Sequence, residues 1–264
     1  MKKALTIAGS DSSGGAGIQA DLKTFQELGV YGMSSLTVIV AMDPHNDWSH
    51  QVFPIAADTI EAQIETALVG IGADALKTGM LPTSEIIELA ARAIKNSGIK
   101  KVVVDPVMVC KGAGEPLNPE SADCYKKNLL PLAAVVTPNV FEASQLSGIK
   151  IQTAEDMKQA AKIIKDLGAG YVVVKGGKIG NTALDVVYDG KSVEILESQR
   201  IDTSYTHGAG CTFAAAITAE LAKGADAASA VKTAKAFVTR AIDRSFALNR
   251  FVGTLDRSSA YRGE

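Results

Sequence analysis

Residues 5–21 read LTIAGSDSSGGAGIQAD, and this stretch contains a strand, a glycine-rich loop and the start of a helix, in that order. The apolar run at 5–8 is typical of a strand that is buried on both faces of a sheet. The glycines at 9–17 let a ligand approach the backbone, and a helix that carries Gln19 and Asp21 is expected to follow. The loop matches neither the P-loop nor the G-x-G-x-x-G pattern, so alone it fits a ligand-binding loop and a flexible turn equally well.

The same alternation of strand and helix continues along the chain. Continuous runs rich in β-branched residues at 36–40, 101–104, 134–136 and 171–174 predict further buried strands. Amphipathic segments at about 16–28, 57–70, 83–97, 139–147 and 153–167 predict helices, and several of these end at a glycine in the C-cap position, namely Gly29, Gly70, Gly98, Gly148 and Gly168. This pattern predicts an α/β fold, a three-layer α/β/α sandwich with a mostly parallel central sheet.

The pattern changes after residue 182. The runs at 184–188 and 193–196 flank Asp189-Gly190-Lys191-Ser192, which predicts an antiparallel hairpin near residues 183–197. Two helices at about 210–222 and 226–246 complete the chain. Because no repeat and no low-complexity linker interrupts this order, we expect one domain over residues 1–264.

Composition excludes several classes of function. A net charge of −2 argues against a nucleic-acid binder or an anionic-membrane binder, since these need clustered positive charge. The chain lacks both an apolar run of about 18 residues and a signal peptide, so a cytoplasmic protein is expected. The three cysteines, Cys110, Cys124 and Cys211, are widely spaced and predict neither a disulfide framework nor a zinc site; we expect Cys124 to be structural.

A second glycine-rich turn, His207-Gly208-Ala209-Gly210-Cys211-Thr212, runs directly into an apolar helix. Backbone N–H groups and the positive end of the helix dipole predict an anion-binding pocket there. The positive potential of these groups is expected to favour the thiolate of Cys211 over the thiol. The thiolate would then accept a proton or attack an electrophile. His207 is expected either to touch a phosphate or to brace the loop.

Polar residues also stand at the ends of the other predicted strands, where open α/β sheets bind ligands. Lys77-Thr78-Gly79-Met80 is expected to follow a further strand, the third in chain order, which lies between those at 36–40 and 101–104. Asp105 closes the fourth, as a metal ligand or as a helix cap. Asn139 and Glu142 follow the fifth; their spacing predicts a capping box, and the alternative is that they hold hydrated Mg²⁺ and a nucleotide phosphate. A loop with two cations, 175–180, is expected after the sixth strand and favours phosphate binding.

Taken together, these motifs closely resemble the hydroxymethylpyrimidine kinase and pyridoxal kinase branch of the ribokinase-like superfamily. The resemblance covers essentially the whole chain in the family's order, and its motifs are 8–21, Lys77-Thr78-Gly79-Met80, Asp105-Pro106-Val107-Met108, Thr137-Pro138-Asn139 with Glu142-Ala143, Val174-Lys175-Gly176-Gly177 and 207–212. It implies a ribokinase-like fold and transfer of the γ-phosphate of ATP to a hydroxymethyl group on a small aromatic heterocycle, with Mg²⁺. It also implies a homodimer and raises a monovalent cation as a further ion.

The resemblance assigns roles residue by residue. Gly208, Ala209 and Gly210 would form the anion hole, and Cys211 stands where most of the superfamily has a catalytic aspartate. ATP would be bound by Asn139, Glu142, Lys175, Gly176, Gly177, Lys178, Ile179, Gly180, Asp185, Gly210 and Lys235. The heterocycle would be bound by Ser10, Asp11, Gly17, Met42, His50, Met80, Val107 and Cys110, and the metal by Asp105 and Glu142. The family usually has threonine where Ala209 stands, so a hydroxyl contact is lost while the backbone amides are kept.

Two departures bear on the identity of the heterocycle. In the pyrimidine kinases the second strand typically ends in Ala-Gln-Asn, whereas this chain has Ala41-Met42-Asp43. Methionine cannot make the bidentate contact of the glutamine amide, so we expect pyrimidine recognition to be impaired. Cysteines at 110 and 211 resemble a dual-cysteine subgroup of pyridoxal kinases, in which a thiol would add to the pyridoxal aldehyde as a hemithioacetal.

These features predict a pyridoxal kinase of vitamin B6 salvage that also accepts pyridoxine and pyridoxamine. The alternative within the family is a hydroxymethylpyrimidine or hydroxymethylpyrimidine phosphate kinase of thiamine biosynthesis. An alternative of another class is a nucleotide or vitamer sensor without catalysis. His50 is expected to reach the substrate ring from a mobile segment, or to be a plain surface histidine.

Overall fold

The structure, a computed structural model, describes residues 1–108, 120–179 and 182–260. Its first half contains β1 (Lys3–Asp11), α1 (Gly17–Glu27), β2 (Tyr31–Asp43), β3 (Ser49–Pro54), α2 (Ala57–Glu65), β4 (Ala75–Thr78), α3 (Ser84–Ser97) and β5 (Val102–Val104). The rest contains α4 (Glu120–Cys124), β6 (Val135–Val136), α5 (Val140–Ser147), α6 (Ala154–Asp166), β7 (Tyr171–Ile179), β8 (Thr182–Tyr188), β9 (Val193–Gln199), α7 (Ala209–Lys223), α8 (Ala227–Asp243), β10 (Phe246–Ala247) and β11 (Gly253–Thr254).

One large sheet organises the described residues, in the order β3-β2-β1-β4-β5-β6-β7-β8-β9. The six strands from β2 to β7 in this order pair in parallel, while β3 at one edge and β8 and β9 at the other are antiparallel. The mostly parallel sheet and the hairpin near residues 183–197 are therefore confirmed. None of the described helices is long and apolar enough to cross a membrane.

Each face of the sheet carries its own hydrophobic core, because alternate strand residues point to opposite faces. Val103 and Val173 pack with α1, α7 and α8 on one face. Val104 and Val172 pack with α2 to α6 on the other. Both strand faces are buried, which explains the continuous apolar runs, and the predicted three-layer sandwich is confirmed.

The β2–β3 hairpin was missed by the sequence interpretation, which predicted a strand only at 36–40. β2 begins at Tyr31 because its first residues pair with β1, and this tertiary pairing overrides the weak strand propensity of Gly32 and two serines. The connection to β3 includes Asp47 and Trp48 with positive φ, a turn without the usual Asn-Gly or Asp-Gly signal. The hairpin places Met42 directly opposite His50.

Two further boundaries differ from expectation. Gly98 and Gly148 end α3 and α5 in left-handed conformation as predicted, but the prediction for Gly70 is wrong. The chain continues past α2 through a π-helical turn, Thr66–Ile71, and the left-handed residue is Gly72. The expected loop after Val174 is also wrong as far as Ile179, since β7 continues to that residue by pairing with β8 across a bulge.

Candidate active site

A cavity of about 610 Å³ opens at the carboxyl ends of the parallel strands. Loops and helix starts that are far apart in the sequence converge on it, as the strand order requires. Its walls include most of the predicted site residues, namely Ser10, Asp11, Gly17, Met42, His50, Met80, Asp105, Val107, Asn139, Glu142, Lys175, Gly208, Ala209, Gly210 and Cys211.

Asp11, at the end of β1, organises the first glycine-rich loop. Its carboxylate accepts hydrogen bonds from the backbone amides of Ser13 and Ala16, both at 2.8 Å, and contacts Nε2 of His207 at 2.7 Å. Burial alone would raise the pKa of Asp11, but the bonds from His207 and Ser13 outweigh it and lower this pKa to about 2. His207 therefore braces the loop, and it ties the first glycine-rich loop to the second.

The anion-binding turn has room only for glycine at its first position. Gly208 is the N-cap of α7 with φ 84°, and a β-carbon there would collide with the carbonyl oxygen of Gly15. The amide of Ala209 already donates to the carbonyl of Thr206 at 3.2 Å, so it is less available to an anion than the sequence suggested.

Within the part of the chain that the structure describes, the amides of Gly210 and Cys211 have no protein acceptor. The first amides of a helix point out of its N-terminus and carry its positive end charge. At the start of α7 these two amides border the cavity. The free amides at this turn are therefore those of Gly210 and Cys211, whereas the sequence interpretation named Gly208, Ala209 and Gly210 as the anion hole.

Lys175 links the anion-binding turn to a carboxylate. Its ammonium lies 2.9 Å from Oδ1 of Asp105 and 3.4 Å from the position that a β-carbon on Gly210 would occupy. Asp105 Oδ1 also accepts a hydrogen bond from Thr137 at 2.9 Å. Although burial works in the opposite direction, the charges of Asp105 and Glu142 raise the pKa of Lys175, which keeps it cationic beside the start of α7.

Asn139 and Glu142 form the predicted capping box at the start of α5. The Asn139 side chain accepts from the amide of Glu142 at 2.9 Å, and Glu142 Oε2 accepts from the amide of Asn139 at 2.8 Å. Both residues also line the cavity, so the capping role does not take them away from it. Burial and the negative charge of Asp105 raise the pKa of Glu142 to about 7.

The two carboxylates of Asp105 and Glu142 are a donor set that suits Mg²⁺. Magnesium is usually held by one or two carboxylates and completes its shell with water and substrate phosphates. Asp105 and Glu142 line the same cavity, and the negative charge of Asp105 contributes to the raised pKa of Glu142. No cluster of three or more acidic, histidine or cysteine side chains occurs among the described residues, so these two would be the protein's share of the ligands.

Cys211 occupies the first turn of α7 beside the cavity, but the expectation that its thiolate is favoured is wrong for this structure. Burial, with the negative charge of Asp21 adding to it, raises the pKa of the thiol to about 11. The charge of Lys77 and a hydrogen bond from the Gly17 amide lower it by less. Desolvation is thus the largest influence on the pKa of this thiol.

Lys77 and Asp21 form an ion pair beneath the cavity floor. Lys77 Nζ lies 2.8 Å from Asp21 Oδ2, and both side chains are fully buried. Thr6 donates to the same carboxylate oxygen at 2.7 Å. Burial opposes the charge of Lys77, but Asp21 outweighs it and raises the pKa of Lys77. Lys77 lies within β4 rather than after it, and it lines the cavity from below.

The end of the cavity near β2 and β3 is more apolar. Met42 and His50 face it from paired positions of the hairpin, so His50 belongs to a strand rather than to a mobile segment. Burial and the nearby His207 lower the pKa of His50. Met80 and Val107 add to the apolar lining of the cavity, as does Phe141 in the first turn of α5.

Several predicted nucleotide residues are not part of the cavity wall. Asp185 accepts from Lys235 at 2.8 Å and from the Gly176 amide at 2.9 Å, so these three hold β7, β8 and α8 together. Gly177, Lys178 and Ile179 lie in β7, and only their backbone is described. Cys110 and Gly180 lie outside the described residues.

Sequence reasoning missed Phe141 and Arg257. Phe141 lies between the two capping residues, Asn139 and Glu142, after a buried strand, and that position is a signal that was available. Arg257 is near the end of the chain in a segment without a motif, yet it is buried and reaches the glycine-rich loops. Only the folded chain brings it there.

Comparison with known proteins gives consistent results. The family model described as phosphomethylpyrimidine kinase matches residues 11–256. The chain is 64% identical to pyridoxine kinase of Bacillus subtilis, covering 98% of this chain and 97% of that one. It is 44% identical to hydroxymethylpyrimidine/phosphomethylpyrimidine kinase of the same organism, covering 93% and 91%.

A solved structure is also similar to this chain in fold and in sequence. Pyridoxal kinase from Staphylococcus aureus, in complex with AMP-PCP and pyridoxal, superimposes with a TM-score of 0.94 at 52% identity, covering 99% of this chain and 95% of that one. The fold, the order of the motifs and these matches agree over nearly the whole length. The chain belongs to the phosphomethylpyrimidine kinase family.

Proposed function

We propose that this chain transfers the γ-phosphoryl group of ATP to the 5′-hydroxymethyl group of pyridoxal, and also of pyridoxine and pyridoxamine, in vitamin B6 salvage. The observation that carries the kinase chemistry is the start of α7, whose free Gly210 and Cys211 amides face one cavity together with Lys175 and two carboxylates. The 64% identity to a pyridoxine kinase supports the choice of substrate.

The chemical requirements of the reaction fit these residues. Phosphoryl transfer needs mainly positioning and stabilisation of the charge on the transferred group. The amides of Gly210 and Cys211 would bind the phosphoryl oxygens without moving, and Lys175 would add a positive charge at the same place. Asn139, on the adjacent wall, would orient the nucleotide phosphates through its side-chain amide.

Asp105 and Glu142 would hold Mg²⁺ together with the phosphates of ATP. The bound ion would neutralise phosphate charge during transfer. Ion pairing with Lys175 keeps the carboxylate of Asp105 in place, and the capping box does the same for Glu142. The remaining predicted nucleotide contacts, from Gly176 to Gly180 with Asp185 and Lys235, stay proposals that rest on the family resemblance.

The thiolate form of Cys211 would stand next to the substrate hydroxyl and accept its proton during transfer, which would leave the neutral thiol and the phosphorylated product. Its raised pKa means that little thiolate exists at neutral pH before ligands bind. Since phosphoryl transfer depends less on a strong base than on positioning, a weakly ionised thiol is compatible with the reaction. We expect Cys211→Ala to lower kcat while ATP binding is kept, and full activity of this variant would contradict the role.

The apolar end of the cavity supports a pyridine rather than a pyrimidine ring. Met42 offers a thioether, which packs well against an aromatic ring but cannot pair with a pyrimidine amidine edge. His50 lies opposite Met42 and would contact the ring from the other strand. Ser10, Asp11, Gly17, Met80 and Val107 are the further residues that we propose around the heterocycle.

We also propose that Cys110 binds the pyridoxal aldehyde as a hemithioacetal. The thiol sulfur would form a bond to the carbonyl carbon, and the carbonyl oxygen would take up the thiol proton, so no oxidant is needed. Pyridoxine has an alcohol in place of the aldehyde and cannot react in this way. We therefore expect Cys110→Ala to slow pyridoxal phosphorylation and to leave pyridoxine phosphorylation nearly unchanged; equal slowing of both would contradict the proposal.

The kinase proposal is tested by incubating the protein with Mg·ATP and each vitamer in turn and measuring the ADP that is released. We expect ADP release that depends on pyridoxal or pyridoxine and appears in equal amount with a 5′-phosphorylated product. Vitamer binding without ADP release would instead support a sensor. The rival within the family is a hydroxymethylpyrimidine kinase of thiamine biosynthesis, which the 44% identity to such an enzyme favours.

We propose that the protein is a cytoplasmic homodimer. The location is supported by the need for ATP and by free cysteines at 124 and 211. The dimer is supported by a group of exposed apolar residues on the β2–β3 hairpin: Ile39 and Phe53 are register partners and Val52 adjoins them. Dependence on a monovalent cation remains a prediction from the family resemblance.

A further inference from the structure

Arg257 is a buried cation whose hydrogen bonds all go to neutral oxygens. The residue is 4% exposed. Its guanidinium donates to the carbonyl of Gly15 at 2.6 Å, to Thr212 Oγ1 at 2.8 Å and to the carbonyl of Leu255 at 3.3 Å. No carboxylate lies within ion-pair distance of it in the described ranges 1–108, 120–179 and 182–260. Burying a charge whose hydrogen-bond partners are all neutral costs free energy, so the presence of this guanidinium in the interior calls for an explanation.

The partners of Arg257 belong to three separate segments. Gly15 is in the loop after β1, Thr212 is in the first turn of α7, and Leu255 follows β11. Thr254 adds to the same junction, because its hydroxyl contacts the carbonyls of Gly15 and His207 at 3.2 and 3.1 Å. The guanidinium therefore joins both glycine-rich loops to the C-terminal segment.

These bonds reach Gly208 from two sides. Thr212 accepts from Arg257 and donates to the carbonyl of Gly208 at 2.8 Å, which fixes one side of the turn. The Gly15 carbonyl, held by Arg257, lies where a β-carbon on Gly208 would be. Arg257 Nη2 itself lies 2.6 Å from that β-carbon position. Arg257 thus holds in place, through Thr212 and Gly15, the turn that orients the Gly210 and Cys211 amides.

We propose that Arg257 is a positioning residue for phosphoryl transfer, which clamps the anion-binding turn through Gly15 and Thr212. The inference rests on the proposed kinase function. A guanidinium has donors in a rigid fork, so it can hold two loops in one register, whereas a lysine ammonium cannot reproduce that geometry. Its charge also lies beside Gly208, the N-cap of the helix whose first amides would face a developing negative charge, and preorganised positive groups stabilise such charge.

The test compares Arg257→Lys and Thr212→Val with the unchanged enzyme. We expect each to lower kcat by about tenfold or more, since misaligned anion-hole donors cost at least that much. The Kd for ADP, which lacks the transferred group, is expected to stay within about twofold. Because Thr212 acts on Gly208 within the hydrogen-bonded chain that begins at Arg257, the double variant is expected to be no worse than Arg257→Lys alone.

A matched control separates positioning from stability. Leu221→Ala removes a buried side chain from the same helix far from the turn, and it should lower Tm while kcat below Tm is unchanged. If Arg257→Lys does not fold, Thr212→Val, which keeps the shape of the side chain, carries the test. The proposal is overturned if folded variants keep kcat, or if kcat and ADP affinity fall together.

The activity of the unchanged enzyme in the same assay distinguishes a failure of the proposed kinase function from a failure of the proposed role of Arg257. If it phosphorylates no vitamer, the proposed function has failed. If it is active and the folded Arg257→Lys and Thr212→Val variants match it, only the positioning role of Arg257 has failed.

Discussion

The helix dipole is expected to lower the pKa of the Cys211 thiol, whereas desolvation raises it. The sequence predicts the dipole, because glycines and an apolar helix are visible in it. The sequence does not show that the thiol is desolvated in the folded chain or that the charge of Asp21 acts on it, and these two effects raise the pKa of Cys211 to about 11. The position of the thiol could be predicted from the sequence, while its protonation state depends on packing.

The pH dependence of Cys211 alkylation tests this pKa. We expect the rate of modification by iodoacetamide, followed by mass spectrometry of the Cys211 peptide, to rise up to about pH 11. The same peptide in urea should show the midpoint of a free thiol, about 8.5. A midpoint below that of the unfolded reference would contradict the dominance of burial.

Asp11 gives a second prediction at the level of a single residue. Its pKa is about 2 in the folded protein against 3.8 for the ordinary side chain, so its charged form stabilises the fold above about pH 4. That stabilisation is lost as pH falls from 3.8 towards 2. With allowance for solvent around the loop, we expect Asp11→Asn to cost about 1–2 kcal/mol at neutral pH.

Urea unfolding at several pH values measures this effect. The difference in unfolding free energy between the unchanged protein and Asp11→Asn should shrink steadily below about pH 4. Asp123→Asn, at a highly exposed site on α4, is the matched control and should change stability little at any pH. A difference for Asp11→Asn that stays constant with pH would contradict the assignment of the stabilisation to the carboxylate.

At the scale of elements, α5 shows one pattern serving two purposes. The sequence left open whether Asn139 and Glu142 cap a helix or face ligands, and the folded chain does both with the same side chains. Some elements contain their own capping or turn residues, and these elements, such as α5 and the hairpin of β8 and β9, were predicted well. The β2–β3 hairpin was not, because its turn lacks the usual signal and β2 is stabilised by pairing with β1; the end of β7 was not, because it is stabilised by pairing with β8 across a bulge.

Glu142→Gln separates the cap from the charge. Glutamine at this position can still complete a capping box, so the unfolding free energy should stay within about 0.5 kcal/mol. The loss of the carboxylate should raise the Mg²⁺ concentration needed for half-maximal activity by about tenfold or more. Unchanged Mg²⁺ dependence would contradict metal binding by Glu142.

The capping box of α6 provides the control for α5. Thr153 caps α6 in the same way, with its hydroxyl accepting from the Asp156 amide on the exposed side of the molecule. Thr153→Ala should therefore cost about 1 kcal/mol of stability, the usual value of a cap, without changing Mg²⁺ dependence.

At the scale of the whole molecule, the site exists because the strand order brings separate loops to one edge. The sequence predicts this convergence once a parallel sheet is inferred, which is why most site residues could be named in advance. Arg257 shows the limit: its contact with Gly15 spans 242 residues and its contact with Thr212 spans 45, and no local sequence pattern predicts either contact.

The exposed hairpin residues give a prediction about assembly. Light scattering after size exclusion should give twice the chain mass, since exposed apolar side chains on neighbouring strands favour association. Phe53→Ser should shift the protein towards monomer, whereas Val69→Ser, at a more exposed apolar site outside the hairpin, should not. A monomeric unchanged protein at micromolar concentration would contradict the dimer.

The most direct test of pyridoxal phosphorylation is the ratio of kcat/KM for pyridoxal to kcat/KM for hydroxymethylpyrimidine, measured on one preparation with Mg·ATP. Because Met42 cannot pair with the pyrimidine edge, we expect the ratio to favour pyridoxal by about tenfold or more. A ratio below one, or turnover of the pyrimidine alone, would contradict it.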